Sequence, residues 1–392
     1  MMRGSLNKLQ TVTHTMIIAV VFSLFVCCTR EPLLHLFDGG EVAIELPILD
    51  LELDTYWDYL DLDYGVAYDW RAEWYYGWDA VDEEIFGPIG YTEPNTFNLR
   101  RYYTGTLPFG EHIRVLANTI KGTSFRGQYS WGYWDVLVWN DVDAIGGVQS
   151  LNFDETSTLE YVTAYTNMSM HNSRHAAPKY TRAFYEPEAL FSAYEQGVSI
   201  NRDLEGFVYD PERNVYIKKL DMVLMPITYI YLTQVILHNN HNKIVGVDGS
   251  GILSGVSRTM NVNTGLSGDE AISIYYNTRF KAGCNKEGES VDIIGGRLLT
   301  FGICEQNANR IKSLEEVKDE NNHYLDVTMH FNNGNDSTFV FDVTNQVRKR
   351  WKGGVITVEL DMDTIRIPSR TGGSAFDAVV KDFEEETHEF GL

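Results

Sequence analysis

Short apolar stretches, separated by turn residues, recur along most of this chain and restrict its fold more than any other feature. The clearest stretch is residues 132–140, GYWDVLVWN, in which aromatic and β-branched residues dominate. It ends at an Asn-Asp pair. Residues 323–331 and 337–343 flank the turn sequence NNGN and predict a β-hairpin. Many such strands with regular turn signals favour an all-β fold built from β-sandwiches.

Helices are few in this pattern. We predict them only at residues 313–318 and 344–349, with one or two further helical turns at residues 187–194, where Pro187 suits a first helical position. Residues 168–185 show no clear period and predict a loop. A strand is also predicted from residue 41 to 49, where apolar residues alternate.

The chain has 392 residues and a formal net charge of −23. This length exceeds one ordinary core and suits two domains. We place them at residues 41–205 and 206–368, after a tether at 28–40 and before an acidic segment at 369–392 that is either a solvated tail or an added strand. The negative charge argues against a nucleic-acid partner.

The N-terminal region carries a short apolar run, MIIAVVFSLFVCC, at residues 16–28. The run is shorter than the roughly 20 residues that cross a bilayer. The basic residues that precede it in the sequence are typical of a secretory signal. Its end resembles a bacterial lipoprotein box, in which a cysteine becomes the new N-terminus and carries lipid. We predict lipid attachment at Cys28, with Cys27 as the alternative, and removal of residues 1–27. A secretory signal without lipid is the other interpretation.

The sequence contains no recognisable catalytic fingerprint. We find no Gly-x-Ser-x-Gly elbow, phosphate loop or dinucleotide-binding motif, and therefore expect neither an enzyme nor a cofactor. His171 and His175 are four residues apart, a spacing that can chelate metal on a helix, but their segment lacks a helical period. We interpret them as surface or loop histidines, and we interpret His238 and His241, in an asparagine-rich turn, in the same way.

Six acidic residues lie close together on the N-terminal side of the chain. They are Asp50, Glu52, Asp54, Asp58, Asp61 and Asp63. They lack the glycine-punctuated spacing of a calcium loop, so a solvated strand face is the preferred interpretation. We predict no metal site from this sequence.

Residues 65–78 are dense in aromatic side chains. One group shares a strand face by alternation: Tyr68, Trp70 and Trp74. Core packing is expected for this group. Tyr75, Tyr76 and Trp78 follow at a turn and are expected to be more exposed. Exposed aromatic rings stack on sugars and anchor protein interfaces, so these three residues are the candidate surface for a glycan or a partner.

Beyond the N-terminal pair only two cysteines remain, Cys284 and Cys304. They fall at the ends of two predicted neighbouring strands, and an exported protein meets an oxidising compartment. A disulfide between them and two separate thiols both stay open, because sequence does not fix the distance between their Cα atoms.

Five segments carry a family resemblance. They are residues 28–33 (CTREPL), 132–140 (GYWDVLVWN), 187–191 (PEALF), 252–256 (ILSGV) and 339–344 (FVFDVT). In this order they resemble the fimbrillin-like lipoproteins of the Bacteroidales, in particular the minor and anchor subunits of type V pili and their uncharacterised lipoprotein relatives. The resemblance extends over nearly the whole chain after the signal.

The resemblance implies two tandem transthyretin-like β-sandwiches, anchored by lipid at the outer membrane and facing the cell surface. It also implies an anchor, accessory or adhesin-like subunit that joins other fimbrial subunits by strand addition. The alternative function is a glycan-binding surface lipoprotein, motivated by the aromatic group and the acidic surface. The sequence departs from the major pilins, since it shows neither an arginine-processed leader nor an obvious donor segment.

Overall fold

A computed structural model of the protein describes residues 41–47, 73–367 and 378–380. Within the long range it omits residues 76, 89, 93, 123, 143–148, 156–160, 174–179, 202, 213–214, 221 and 287. Several residues of the sequence analysis lie outside the described ranges: Cys27, Cys28, the six acidic residues at 50–63, Tyr68, Trp70, Tyr76 and His175.

The described residues form 23 strands, two α-helices and one 3-10 helix. In chain order the strands are β1 (Glu41–Pro47), β2 (Thr96–Gly105), β3 (Arg114–Lys121), β4 (Ser124–Gln128), β5 (Gly132–Asn140), β6 (Leu151–Asp154), β7 (Thr163–Thr166), β8 (Met168–Asn172), β9 (Arg182–Tyr185), β10 (Phe191–Ile200), β11 (Phe207–Asp210), β12 (Val215–Lys219), β13 (Met225–Pro226), β14 (Tyr229–His238), β15 (Ile244–Ser257), β16 (Thr259–Asn261), β17 (Ala271–Asn277), β18 (Arg279–Lys286), β19 (Glu289–Thr300), β20 (Tyr324–Phe331), β21 (Asp336–Asp342), β22 (Gly354–Asp361) and β23 (Ala378–Val380). The helices are α1 (Ala80–Phe86), the 3-10 helix (Leu314–Glu316) and α2 (Thr344–Lys349). The all-β prediction is confirmed. No helix in these ranges has the length and apolarity that crossing a membrane requires.

Two sheets form the first sandwich, with strand orders β11–β12–β1–β4 and β13–β10–β5–β2–β3. β5 lies in the middle of the five-stranded sheet and is buried on both faces. Trp134, Val136 and Val138 belong to the core of this sandwich, whereas Leu137 and Trp139 belong to the larger core beyond it. A strand covered on both sides requires the continuous apolar run that its sequence shows.

The second sandwich combines a four-stranded sheet, β18–β19–β14–β22, with a seven-stranded sheet, β23–β21–β20–β15–β17–β9–β8. Its core contains Tyr231 and Ile294 from the smaller sheet and Leu253 and Val327 from the larger one. Trp351, which follows α2, is fully buried in the same core. These side chains alternate along their strands with residues that face the other way, as a two-sheet core requires.

The predicted domain boundary at 205/206 is wrong, because strands cross it in both directions. β11, β12 and β13 come after that point but pair within the first sandwich. β8 and β9 come before it but extend the seven-stranded sheet, where β9 runs parallel to β17. A three-stranded sheet, β16–β7–β6, also joins strands from both sides. One core cluster accordingly contains Tyr102 and Trp139 together with residues of the second sandwich.

Local predictions agree with the structure in some places and fail in others. Residues 344–349 form α2 at the predicted bounds, and β20 pairs with β21 in the predicted hairpin. The predicted loop at residues 168–185 contains β8 and β9, which pair with each other, and β9 also pairs with β17, which is distant in sequence. The predicted helical turns at residues 187–194 are absent from the described chain there, since Phe191 begins β10 and β10 pairs with β5.

Candidate functional site

The structure places the predicted aromatic surface against the protein's own core. Trp74 is buried, as expected, with 1% of its surface exposed. Tyr75 and Trp78 are half-buried and pack against the same cluster, so they are more exposed than Trp74 but do not stand free of the protein. Tyr76, the third member of the predicted surface, lies outside the described residues. The rings that motivated a glycan surface therefore serve packing.

We call residues 73–86 the clasp, because they lie across the outer face of the sheet β18–β19–β14–β22. Trp74 packs there against Phe86, with ring centroids 4.9 Å apart, and edge-on against Trp78 at 5.1 Å. On the sheet side the clasp covers Leu232, Ile236, Cys284, Val291, Ile293 and Val355. A segment that lies in the sequence between β1 and β2 of the first sandwich thus covers the second.

Hydrogen bonds and ion pairs hold the clasp to this sheet. The side-chain amide of Gln234 donates to the backbone oxygen of Glu73 at 2.8 Å and accepts from the backbone N–H of Tyr75 at 2.9 Å. The Glu73 carboxylate also contacts the guanidinium of Arg350 at 2.5 Å. At the other end of the clasp, Lys281 Nζ lies 2.6 Å from a carboxylate oxygen of a clasp aspartate, Asp82. The polar contacts fix the position that the aromatic packing stabilises.

A capping box begins α1, the helix of the clasp. The side chain of Asp79 accepts from the backbone N–H groups of Val81 and Asp82, and the Asp82 side chain accepts from the backbone N–H of Asp79. These hydrogen bonds hold the pKa of Asp79 below its usual value, and the bond from the backbone N–H of Asp82 has the largest effect. The sequence pattern Asp-x-x-Asp was a readable signal for this helix, which our sequence analysis did not predict.

Of the two alternatives left open for Cys284 and Cys304, the structure has the separate thiols, since both are free and buried. Cys284 lies in β18 opposite Val291, near the beginning of β19, whereas Cys304 follows the end of β19 at Thr300. The strand between Val291 and Thr300 spans about 30 Å, far beyond the roughly 7 Å that a disulfide allows between Cα atoms. Burial raises the pKa of both thiols, that of Cys304 to about 12.

The histidines are engaged with neighbouring side chains. His171 lies in β8, not in a loop, and its ring stacks on Tyr275 with centroids 3.6 Å apart. His238 ends β14, and its Nδ1 lies 2.7 Å from Glu289. His241 is exposed in the turn that follows, as predicted. Among the residues that the structure describes, no group of three His, Cys, Asp or Glu side chains is placed to hold a metal ion.

Two glutamates hold the connection between β9 and β10. Glu188, which is 3% exposed, accepts hydrogen bonds from the backbone N–H and the hydroxyl of Ser150 at 2.7 and 2.9 Å. Glu186 accepts from the backbone N–H of Leu299 at 3.0 Å. Burial raises the pKa of Glu186 to about 7, although the nearby Arg297 opposes the rise. Both carboxyl groups bind the protein's own backbone, which indicates a structural role.

Asp135 of β5 holds a bulge in the neighbouring strand β10. Its carboxylate lies 2.9 Å from Nε2 of His112 and accepts from the backbone N–H of Gly197 at 2.8 Å and from the Tyr194 hydroxyl at 3.2 Å. Burial alone would raise the pKa of Asp135, but these hydrogen bonds outweigh burial and lower it. The bonds fix β10 where its register shifts between residues 195 and 198.

Segments near both ends of the described chain lie as single strands within sheets. β1 lies between β12, to which it is parallel, and β4, to which it is antiparallel. β23 lies parallel to β21 at the edge of the seven-stranded sheet, in the pairs Phe339–Ala378, Val340–Val379 and Phe341–Val380. Of the two alternatives for the C-terminal segment, a solvated tail or an added strand, residues 378–380 therefore form an added strand.

Three large apolar side chains are exposed at the turn between β2 and β3. Leu107, Phe109 and Ile113 have 67%, 71% and 68% of their surface exposed. The Phe109 ring lies close to Gly197, where an added Cβ would stand 3.3 Å from it. Exposed apolar groups gathered in one place are typical of interaction surfaces. We call Leu107, Phe109 and Ile113 the apolar tip.

Comparison with known proteins gives similar structures but no similar sequence family. No family model matches the chain, and no curated protein matches it. A candidate adhesin from Bacteroides ovatus has a TM-score of 0.45 and 14% identity over 85% of this chain and 96% of its own. The fimbrial anchor protein Mfa2 from Porphyromonas gingivalis has a TM-score of 0.39 and 12% identity over 81% and 90%. A candidate cell adhesion protein from Bacteroides eggerthii has a TM-score of 0.39 and 11% identity over 88% and 93%.

Proposed function

We propose that this protein is a non-enzymatic cell-surface lipoprotein that serves as an anchor or accessory subunit of a fimbria-like assembly, with adhesin-like contacts. The observation that carries the proposal is the parallel pairing of β23 with β21. A strand from the C-terminal segment there occupies the edge of a seven-stranded sheet. Addition of a strand to a sheet edge is also how one subunit can hold another.

The described part of β23 covers less than half of the β21 edge. β21 has seven residues, Asp336–Asp342, and residues 378–380 pair with three of them, Phe339, Val340 and Phe341. Main-chain hydrogen bonds supply the affinity in strand addition, and side-chain pockets supply its specificity. A partner strand that pairs along all of β21 would make more hydrogen bonds to this edge than residues 378–380 make.

The N-terminal part of the chain supports attachment to a membrane. Lipid at Cys28 would be followed by residues 29–40 before β1 begins at Glu41. Twelve residues reach at most about 40 Å when fully extended, so the folded body would stay close to the membrane surface.

Fractionation of native cells tests the anchor function. Surface fibres are sheared off, and fibres and membranes are probed for the protein with and without Cys28→Ala. We expect the wild-type protein to take up labelled palmitate and to keep fibres on the cell, and we expect Cys28→Ala to lose the label and shed fibres. Cys27→Ala is the matched control and should retain both properties. Fibres that are unchanged in a deletion strain would contradict the anchor function.

A cysteine pair tests strand addition directly. Val340→Cys combined with Val379→Cys places two thiols at a register pair of β21 and β23. In the isolated protein we expect the intrachain disulfide to form on oxidation. In assembled fibres, where a partner strand would occupy the β21 edge, we expect both introduced cysteines to remain reduced thiols. An intrachain bond that forms equally in both states would show that β23 remains on β21 during assembly.

The glycan-binding alternative loses the site that motivated it. Trp74 is buried, and Tyr75 and Trp78 pack against the second sandwich instead of forming an open platform. Stacking on a sugar requires an accessible ring face. Tryptophan fluorescence of the clasp is therefore not expected to respond to sugars, and a change that is lost in Trp78→Ala would restore this alternative.

A further inference from the structure

The apolar tip lies in a turn that carries little charge. Each of its three side chains has two-thirds or more of its surface exposed. The turn that holds them, residues 106–113, contains one acidic residue, Glu111, and neither lysine nor arginine. Its histidine, His112, is turned towards the buried carboxylate of Asp135. An exposed apolar patch with so few charges is typical of a surface that another apolar body covers.

The backbone of the turn holds the tip side chains in water. Phe109 has a φ of 58°, a left-handed conformation that is unfavourable for a bulky side chain. The hydroxyl of Thr104 donates to the backbone oxygen of Leu107 at 3.1 Å, and the backbone N–H of Ile113 donates to that of Tyr103 at 2.7 Å. Strained conformations of this kind persist only where the surrounding structure enforces them, and they are frequent at functional sites. The exposure of the tip is therefore built into the fold.

The tip lies at the end of the first sandwich at which β1 begins. β4 runs antiparallel to β1, and its last residue, Gln128, pairs with Ala43, the third residue of β1. Residues 129–131 then lead to Gly132, the first residue of β5, a step of at most about 14 Å. The next residue of β5, Tyr133, pairs with Gly105, the last residue of β2, after which the turn with the tip follows directly.

The lipid proposed at Cys28 would hold this same end of the sandwich close to the membrane. Residues 29–40 connect Cys28 to Glu41, the first residue of β1, and they reach at most about 40 Å. Apolar side chains on a membrane-bound surface enter the boundary between lipid head groups and acyl chains by about 5–10 Å. The position of the tip, beside the start of the tethered strand, thus identifies lipid as the body that covers it.

We propose that the apolar tip inserts into the bilayer that carries the lipid anchor, so that the first sandwich stands on the membrane in one fixed orientation. The inference rests on lipid attachment at Cys28, which is part of the proposed function. It adds a second membrane contact, formed by Leu107, Phe109 and Ile113, to the covalent one. The second sandwich would then be the part of the body that stays available to other subunits.

A fluorescence measurement on the lipidated full-length protein tests the insertion. Phe109→Cys is labelled with nitrobenzoxadiazole, and the protein is reconstituted on phosphatidylcholine vesicles with and without doxyl-labelled phosphatidylcholine. Leu314→Cys is the matched control, because Leu314 is an exposed apolar residue (48%) in the second half of the chain. We expect the label at position 109 to shift its emission to the blue and to lose fluorescence to the doxyl lipid, and we expect neither change at position 314. Mass spectrometry of the intact protein counts its lipid and its label.

Aspartates in the tip provide the second variant. Leu107→Asp and Ile113→Asp, added together to Phe109→Cys, change exposed side chains, and circular dichroism establishes that the protein is folded. We expect the quenching at position 109 to be lost. On a protein whose mass includes lipid, equal quenching at positions 109 and 314, or quenching that the aspartates leave unchanged, would overturn the insertion alone.

Two further outcomes identify other causes. A blue shift without vesicles that grows with protein concentration would assign the tip to contact between two copies of the chain and overturn the insertion. A mass without lipid would overturn lipid attachment, and the inference with it.

Discussion

The indole of Trp74 lies against Gly295 of β19, where an added Cβ would stand 3.2 Å from its Cη2 atom. The same Cβ would stand 2.2 Å from the backbone oxygen of Thr233 on the neighbouring strand β14. Glycine at position 295 therefore allows both the close strand pairing and the approach of the ring. The clasp and the sheet beneath it fit each other at this point.

Loss of the Trp74 side chain should destabilise the whole protein. Trp74→Ala removes a buried indole from a packed cluster, and such changes cost about 3–5 kcal/mol. Urea unfolding followed by circular dichroism measures the free energy of unfolding. Phe109→Ala is the matched control, because that ring is 71% exposed, and its effect should stay within about 0.5 kcal/mol. Equal effects of the two changes would show that the clasp contributes little to stability.

Glu186 should make the protein less stable as the pH rises. Burial raises the pKa of Glu186 from its usual 4.5 to about 7, so the folded state binds more protons than the unfolded state between those two pH values. The free energy of unfolding contributed by this group must then decrease from about pH 4.5 to about pH 7. Glu186→Gln should remove this contribution, seen as a pH-dependent difference from wild type. A difference that stays constant across this range would contradict the raised pKa.

The two buried cysteines should remain separate thiols in an oxidising environment. Their raised pKa values keep them protonated, and protonated thiols react slowly. Mass spectrometry of the protein, purified without reductant and digested, should find Cys284 and Cys304 in unlinked peptides. Iodoacetamide at pH 8 should modify them only after unfolding. A peptide that links the two residues, and that disappears on reduction, would contradict the structure.

The contact between His112 and Asp135 should contribute measurably to stability. The two side chains are 6% and 2% exposed, and interacting buried groups show coupling energies of about 0.5–3 kcal/mol in double-mutant cycles. The cycle uses His112→Ala, Asp135→Ala and the double variant in urea unfolding. His330 and Asp336 form a matched exposed pair, with exposures of 35% and 56%, and their coupling should be at most about 1 kcal/mol. Equal coupling in both pairs would contradict the role assigned to Asp135.

Local patterns in the sequence predicted individual strands well. The bounds of β5, residues 132–140, agree with the structure, because nine consecutive residues that suit a buried strand leave few alternatives. The hairpin of β20 and β21 was equally clear, since both strands and their turn are adjacent in the chain. Burial of Trp74 was also expected from its alternation. In each case the evidence lies within a few residues.

Pairing between distant strands was not predictable from these patterns. The parallel contact of β9 with β17 joins Phe184 to Ile274, and nothing in either local sequence identifies the other. The same reason explains the wrong boundary at 205/206, which assumed that neighbours in sequence are neighbours in space. It also explains why the sequence left the pairing of Cys284 and Cys304 open. The bond from the Asn309 side chain to the backbone oxygen of Pro226 has no local signal either, because it joins the second sandwich to the first.

The placement of β1 decides how the folded body would respond to mechanical load. Five register pairs join β1 to β12 on one side, and five join it to β4 on the other. A pull that enters through the residues before Glu41 acts along the strand axis, so both rows of hydrogen bonds are sheared together instead of being unzipped singly. The load then passes from β1, the first strand of the first sandwich, to both of its neighbours. The strand that is loaded most directly is therefore also one that is hydrogen-bonded on both sides.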